Sequence, residues 1–224
     1  MTRAIAAVGF DLDYTLWDQD QFPLSFFAAV AGELAARLQL PRARVEAALR
    51  GCLRRLTLHH PRLFGAALDE LGATDPALEA ELVADYRRHR PPLAPYPGAL
   101  ELLDWLGGQG YQRFLVTDGH GATQRYKVEA LGLAARFEAM VFTDELPEAK
   151  PSPAPFLHAA DRLGIEPTAC AYVGDDPQRD FAGPRRLGFL TFGVATGPFA
   201  NLPANPDQIP DHRLGTLDDL RGLL

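Results

Sequence analysis

Short, uninterrupted apolar runs recur along the chain, and each ends in a polar or glycine-bearing cluster. Ile5–Phe10 runs into Asp11-Leu12-Asp13, Phe114–Val116 into Thr117-Asp118-Gly119, and Ala139–Phe142 into Thr143-Asp144-Glu145. Cys170–Val173 runs into Gly174-Asp175-Asp176, and Phe189–Val194 is followed by Thr196-Gly197. Runs this short and uninterrupted suit parallel strands buried on both faces. Helical patterns lie between them. Ala99–Leu106 stops at Gly107-Gly108, Thr123–Leu131 ends at Gly132, and Pro153–Leu163 ends at Gly164. Glycine just past a helix closes it in a left-handed conformation. Alternating strands and helices predict an α/β fold, a Rossmann-like parallel sheet flanked by helices. In such sheets ligands gather at the carboxyl ends of the strands, where the polar clusters fall.

The stretch from Leu16 to Arg90 breaks this alternation. It holds four helical segments, Leu24–Leu38, Arg42–Leu56, Pro61–Leu71 and Pro76–Arg90, and no convincing strand. Pro41 and Pro76 suit a first helical turn, where the missing N–H costs little. The stretch ends in Pro91-Pro92-Leu93-Ala94-Pro95-Tyr96-Pro97-Gly98, a stiff connection. The expected organisation is therefore a catalytic core of residues 1–15 and 97–224 with a smaller α-helical cap of residues 16–96 inserted after the first strand. Because the insertion leaves and rejoins the core beside the acidic clusters, a lid over the site is favoured over a merely packed second subdomain.

Composition narrows the class. The chain has 224 residues, 47% of them hydrophobic, which suits one large domain or a core with an insertion and argues against disorder. Its net charge of −7 lacks the basic stripe of a nucleic-acid binder, so no nucleic-acid partner is expected. Cys52 and Cys170 are far apart and in apolar surroundings, which predicts free buried thiols and a reducing compartment. No apolar run approaches the ~20 residues of a membrane span, and Ile5–Phe10 is too short for a signal peptide. A cytoplasmic protein without a membrane partner is expected; oligomeric state is not readable.

The strand-end clusters carry the candidate chemistry. Asp11 and Asp13, two apart on extended chain, put two carboxylates on one side, to hold a cation or to divide attack and proton transfer between them. Alone, such a pair is as well explained by turn or cap residues. Gly174-Asp175-Asp176-Pro177-Gln178-Arg179-Asp180 offers three more carboxylates, with Gly174 as room for a close ligand. Gathered together these acids repel, and a hard oxygen-seeking cation such as Mg2+ resolves the repulsion. Lys150 supplies a further positive charge. Thr117 and the Asp118 and Gly119 amides suit phosphate oxygens, although a simple cap role would also account for Thr117.

Four clusters in this order resemble the signature motifs of the haloacid dehalogenase-like hydrolases. Asp11-Leu12-Asp13-Tyr14-Thr15-Leu16 is similar to the first, Thr117-Asp118-Gly119 to the second, Lys150-Pro151 to the third, and Gly174-Asp175 through Asp180 to the fourth. The match extends to Gln124, Lys127, Gly183 and Gly188, and the helical insertion is similar to the caps of one large branch. The resemblance implies an aspartyl-phosphate mechanism. Asp11 would be the nucleophile and Asp13 the acid and base. Mg2+ would be held by the Asp11 carboxylate, the Asp13 carbonyl and Asp175, with Asp180 and Asp176 behind. Lys150, Thr117, Asp118 and Gly119 would bind the phosphoryl group. Two positions depart from the pattern. Tyr14 stands where a small or acidic residue is usual. Asp118 replaces the usual Asn, and its carboxylate should weaken anion binding unless it turns toward the cap.

The implied activity is a Mg2+-dependent phosphatase acting on a small phosphorylated metabolite of the nucleotide or sugar phosphate type. The alternatives are a phosphomutase, a 2-haloacid dehalogenase, or a phosphate-binding regulator without turnover. A dehalogenase needs neither the second acid nor Mg2+. A phosphonate hydrolase needs a cap lysine, and Leu16–Arg90 contains none. Arg54, Arg55, His59, His60 and Arg62 are the cap candidates for a second anionic group of the substrate.

Overall fold

A computed structural model describes residues 4–56, 60–199 and 202–224. The chain runs through β1 (Ala7–Phe10), then α1 (Gln21–Leu38), α2 (Arg42–Leu56), α3 (Leu63–Leu71) and α4 (Pro76–Arg88). It continues with α5 (Ala99–Gly108), β2 (Gln112–Thr117), α6 (Gly121–Ala130), β3 (Ala139–Phe142) and α7 (Ala154–Leu163). Then come β4 (Cys170–Gly174), α8 (Ala182–Leu187), β5 (Leu190–Val194) and β6 (His212–Leu214). The chain divides into two compact units, Met1–Asp18 with Leu93–Leu224, and Gln19–Pro92.

The first unit is built on a parallel six-stranded sheet ordered β3-β2-β1-β4-β5-β6. Every residue of β1 and β4 is buried, as the unbroken apolar runs demand. Chain order reverses at β1. The chain steps outward through β2 and β3, then returns to place β4 on the other side. A reversal of this kind opens a crevice at the carboxyl ends of the two strands that flank it. Phe10 pairs with Val173, and the Asp11 amide donates to the Val173 carbonyl at 2.9 Å, so Asp11 and the Gly174-Asp175 turn emerge side by side at that crevice. Close packing fixes the register. The Phe114 ring covers the bare α-carbon of Gly9, where a methyl group would collide with it. The Tyr172 hydroxyl donates to the Val116 carbonyl at 3.0 Å.

The second unit is the four-helix insertion. Phe26, Phe27, Phe64 and Leu68 are buried in its own core, with Tyr86 packed edge-on against Phe26. Asp75 caps α4 by accepting from the Ala77 and Leu78 amides, with Pro76 in the first turn. The connecting strands of chain belong to the first unit: Trp17 bridges to Pro95, and the Tyr96 amide donates to the Leu16 carbonyl at 2.9 Å.

Three local expectations differ. α5 does not stop at Gly107-Gly108 but runs through both, and Gly110 takes the positive φ that ends it. β6 was not foreseen, because three residues beginning with exposed His212 and Arg213 carry no apolar run. The short helix α8 was not foreseen either. Both cysteines are free and buried, as expected. Among the described residues no helix is long and apolar enough to cross a membrane.

Candidate active site

The crevice gathers the clusters from four strand ends. Asp11 follows β1, Thr117 and Asp118 follow β2, Lys150 comes from the loop between β3 and α7, and Asp175, Asp176 and Asp180 follow β4. Lys150 lies at the centre. Its ammonium donates to Asp11 Oδ1 at 2.7 Å and Asp180 Oδ1 at 2.8 Å, and its side chain is 3% exposed. Asp180 is fully buried and spends its other oxygen on the Asp176 amide at 3.0 Å. The sequence offers Gly174 as room for a ligand. Its bare face is instead filled by the Asp180 carboxylate, which a β-carbon there would strike. The glycine thus lets the loop fold over its own buried acid.

Asp11, Asp175 and Asp180 each offer a ligand oxygen within 4.8 Å of the others. Asp175 accepts a long bond from the Thr15 hydroxyl at 3.3 Å on Oδ1, while its buried Oδ2 has no hydrogen-bond partner. Burial pushes the Asp11 carboxyl up to about 8, against the pull of Lys150 and with the help of Asp180 and Asp13. Burial, then Asp180 and Asp11, push Asp175 up to about 9. Burial pulls the Lys150 ammonium down, but Asp11 and Asp180 outweigh it and hold it well above the usual lysine range. Acidic oxygens this close, one of them buried without a donor, form a donor set that fits a hard divalent cation such as Mg2+.

Asp13 stands beside Asp11 in sequence but has different partners. Its carboxylate accepts from Lys127 Nζ at 2.9 Å on both oxygens, from Trp17 Nε1 at 2.9 Å, and from Gln124 Nε2 at 2.9 Å. Tyr14, which follows it, takes a left-handed φ of 56° and packs edge-on against Phe199. Thr117 is buried and accepts from Gln124 at 2.7 Å. Gly119 has φ 113°, a conformation open to glycine.

Asp118 does not carry an idle negative charge into the site. Its Oδ1 accepts from the Thr143 hydroxyl at 2.6 Å and the Lys150 amide at 3.3 Å, and its Oδ2 from Arg179 at 2.7 Å. Burial would raise this carboxyl, but Lys150, Thr143 and Arg179 outweigh burial and hold it below the usual range. The side chain therefore ties together the loops after β2, β3 and β4. Asp176 is raised, by burial first and then by Asp180; its Oδ1 accepts from the Gln178 amide at 2.9 Å.

Sequence reasoning gave no part to Arg179, Trp17 or Thr143, and it noted Gln124 and Lys127 only as part of the resemblance. Gln124 and Lys127 stand three apart on a helix, a spacing that puts them on one face. Among the cap candidates, Arg55 pairs with Glu70, and Arg62 with Glu79 and Asp69, all within the second unit. Arg54 and His60 are exposed. His59 lies outside the described residues.

Comparison with known proteins places this geometry. A glyceraldehyde 3-phosphate phosphatase from Methanopyrus kandleri is 33% identical over 226 aligned positions, covering 94% of this chain and 93% of the relative. A HAD phosphatase from Thermococcus onnurineus superposes with a TM-score of 0.68 at 25% identity, over 98% of this chain and 97% of that one. A 2-haloacid dehalogenase from Pseudomonas syringae pv. Tomato superposes with a TM-score of 0.65, also at 25% identity, over 98% and 97% of the two chains. The sequence profile of the haloacid dehalogenase-like hydrolases matches residues 5–188. With the strand-end acids, the inserted helices and this match across most of its length, the chain belongs to the haloacid dehalogenase-like hydrolase family.

Proposed function

We propose that the protein is a Mg2+-dependent phosphatase that hydrolyses a small phosphorylated metabolite of the sugar or nucleotide phosphate type through an aspartyl phosphate on Asp11. The observation that carries this reading is the buried Asp11–Lys150–Asp180 network beside an Asp175 oxygen without a partner. Asp11 attacks phosphorus in line, and the substrate oxygen leaves. Asp13 protonates that oxygen, then takes a proton from the water that cleaves the intermediate. Lys150 stabilises charge on the transferring oxygens while fixing the direction of Asp11. Thr117 and the Asp118 and Gly119 amides bind the same oxygens. Asp11, the Asp13 carbonyl and Asp175 would hold Mg2+, which when bound would add neutralisation of phosphoryl charge. Asp180 is assigned as a brace rather than a ligand, since both its oxygens already face protein donors. The M. kandleri relative, a glyceraldehyde 3-phosphate phosphatase by name, supports the sugar phosphate side of the substrate class.

A dehalogenase shares the fold, but its chemistry would leave Asp13 and Asp175 without a task. The test is a turnover screen over phosphorylated metabolites and 2-haloacids with Mg2+, run beside Asp11→Asn. Phosphate release by the wild type, lowered by several orders of magnitude in Asp11→Asn, is expected. Halide release without phosphate release, or an active Asp11→Asn, would refute the assignment.

A further inference from the structure

The helix that follows the second motif carries two buried polar side chains aimed back at the first. Gln124 is 2% exposed and Lys127 3%. A buried ammonium is costly unless an anion pairs with it. The anion here is Asp13, with Lys127 Nζ at 2.9 Å from both of its oxygens. Trp17 Nε1 shares Oδ1 with the lysine, and Gln124 Nε2 shares Oδ2. Four donor contacts thus meet the roughly four lone-pair positions of a carboxylate. The Lys127 ammonium also lies 5.4 Å from the Trp17 ring centroid, in the range of cation–π attraction. The same Gln124 nitrogen donates to Thr117 Oγ1 at 2.7 Å, which links the Asp13 carboxylate to the hydroxyl assigned to a phosphoryl oxygen.

We propose that Lys127 is a positioning residue of the reaction, whose contact to both Asp13 oxygens orients that carboxyl for its two proton transfers, with Gln124 keyed to Thr117 as the second support. The proposal rests on the roles given to Asp11 and Asp13 above. In the first half-reaction the Asp11 O–P bond forms as the substrate O–P bond breaks, and the Asp13 proton passes to the leaving oxygen. In the second half-reaction the water O–P bond forms and the Asp11 O–P bond breaks, while the water proton passes to Asp13. Each transfer turns one Asp13 oxygen from a protein donor toward the substrate or the water. An ammonium that bridges both oxygens keeps the carboxyl paired through the other one while this happens. A single-point donor such as Trp17 cannot.

The test uses para-nitrophenyl phosphate with Mg2+, because nitrophenolate leaves without a proton whereas cleavage of the aspartyl phosphate still needs Asp13 as base. In rapid-mixing kinetics, Lys127→Met should release about one nitrophenolate per enzyme in a fast phase. Steady turnover should then fall about 100-fold, the scale of a lost general base. Lys127→Arg, which keeps the charge, should recover turnover to within about five-fold of wild type, roughly a 1 kcal/mol difference. A merely structural role would lower the fast phase and the steady rate together, and that result overturns the proposal. So does steady turnover of Lys127→Met within about three-fold of wild type. Asp11→Asn run alongside should show neither phase; if it turns over, the nucleophile assignment has failed rather than the role of Lys127 alone. If Lys127→Met does not fold, Lys127→Gln, which keeps a donor without the charge, is read by the same criteria.

Discussion

Replacing Lys150 by methionine tests the charge balance of the site most directly. Lys150 is 7% exposed and bridges Asp11 and Asp180 at 2.7 and 2.8 Å. Methionine occupies a similar volume, so the loss is electrostatic rather than a cavity. In the metal-free protein near neutral pH, Asp11 and Asp175 already hold protons, with values of about 8 and about 9. Without the lysine the buried carboxyls of Asp11 and Asp180 lose the cation they share. The expected cost is about 4 kcal/mol, the middle of the ~3–5 kcal/mol seen when one partner of a buried pair is removed. At about 2–4 °C per kcal/mol for a chain of this size, Tm should drop by roughly 8–16 °C.

The sign of the pH dependence separates this cost from lost packing. Lys150 pulls the Asp11 carboxyl down, so without it that carboxyl rises above its value of about 8. The folded variant then keeps a proton that the wild type releases, so its deficit grows as pH rises above about 8. Thermal unfolding of wild type and Lys150→Met in a chelator, from about pH 7 to about pH 9.5, measures the difference. A Tm gap that does not change with pH, or one below about 2 °C at neutrality, would refute the reasoning.

Two further outcomes follow from the same cluster and its neighbour. Asp11 and Asp175 are raised above the unfolded value, so the metal-free protein should lose stability as pH rises from about 4 toward their values of about 8 and about 9. Mg2+ must displace those protons, so its stabilising effect should grow over that window. Calorimetric titration in buffers of different ionisation enthalpy should show proton release near neutrality, and none released would count against it. Asp118→Asn keeps an acceptor for Thr143 and the Lys150 amide but loses the charge opposite Arg179, whose side chain is 36% exposed. A part-exposed pair is worth roughly 0.2–1 kcal/mol, so kcat/KM should change less than about five-fold. Asp118→Leu, which strands the Thr143 hydroxyl and the Lys150 amide as well as removing the charge opposite Arg179, should cost about 1–3 kcal/mol in stability; equal effects of the two substitutions in melts and kinetics would contradict this.

The sheet was legible because burial on both faces leaves an unmistakable pattern. β1 to β5 each contain a buried apolar stretch, and the four insertion helices begin or end within a few residues of the expected positions. What failed to show was structure that rests on few apolar contacts. β6 is three residues long with two exposed, so only its pairing with β5 marks it as a strand. α5 runs through two glycines that the sequence alone marks as a stop, because burial of Leu102, Leu103 and Leu106 outweighs their poor helix propensity.

The site shows where position in the chain stops being informative. A carboxylate just past a buried strand must arrive at the carboxyl edge of the sheet, so Asp11, Asp175 and the Thr117-Asp118 pair could be placed from sequence alone. Which cation meets which acid depends instead on a few ångströms across separate loops, and no spacing encodes that. Lys150 and Lys127 are both lone lysines in the chain, yet one faces Asp11 and Asp180 and the other faces Asp13. Charge balance would have narrowed the search. Lys150 is shared by Asp11 and Asp180, Lys127 pairs with Asp13, and Arg179 is shared by Asp118 and Asp176. Of Asp11, Asp13, Asp118, Asp175, Asp176 and Asp180, Asp175 alone has no cation within ion-pair distance, and its orphaned oxygen is the one a divalent ion would satisfy. Buried acids of one sign cannot share a crevice without such partners, so each acid at the sheet edge implies a cation somewhere in the chain. The resemblance includes Lys127 without giving it a partner, and Arg179 lies outside it as a partner of Asp118 and Asp176.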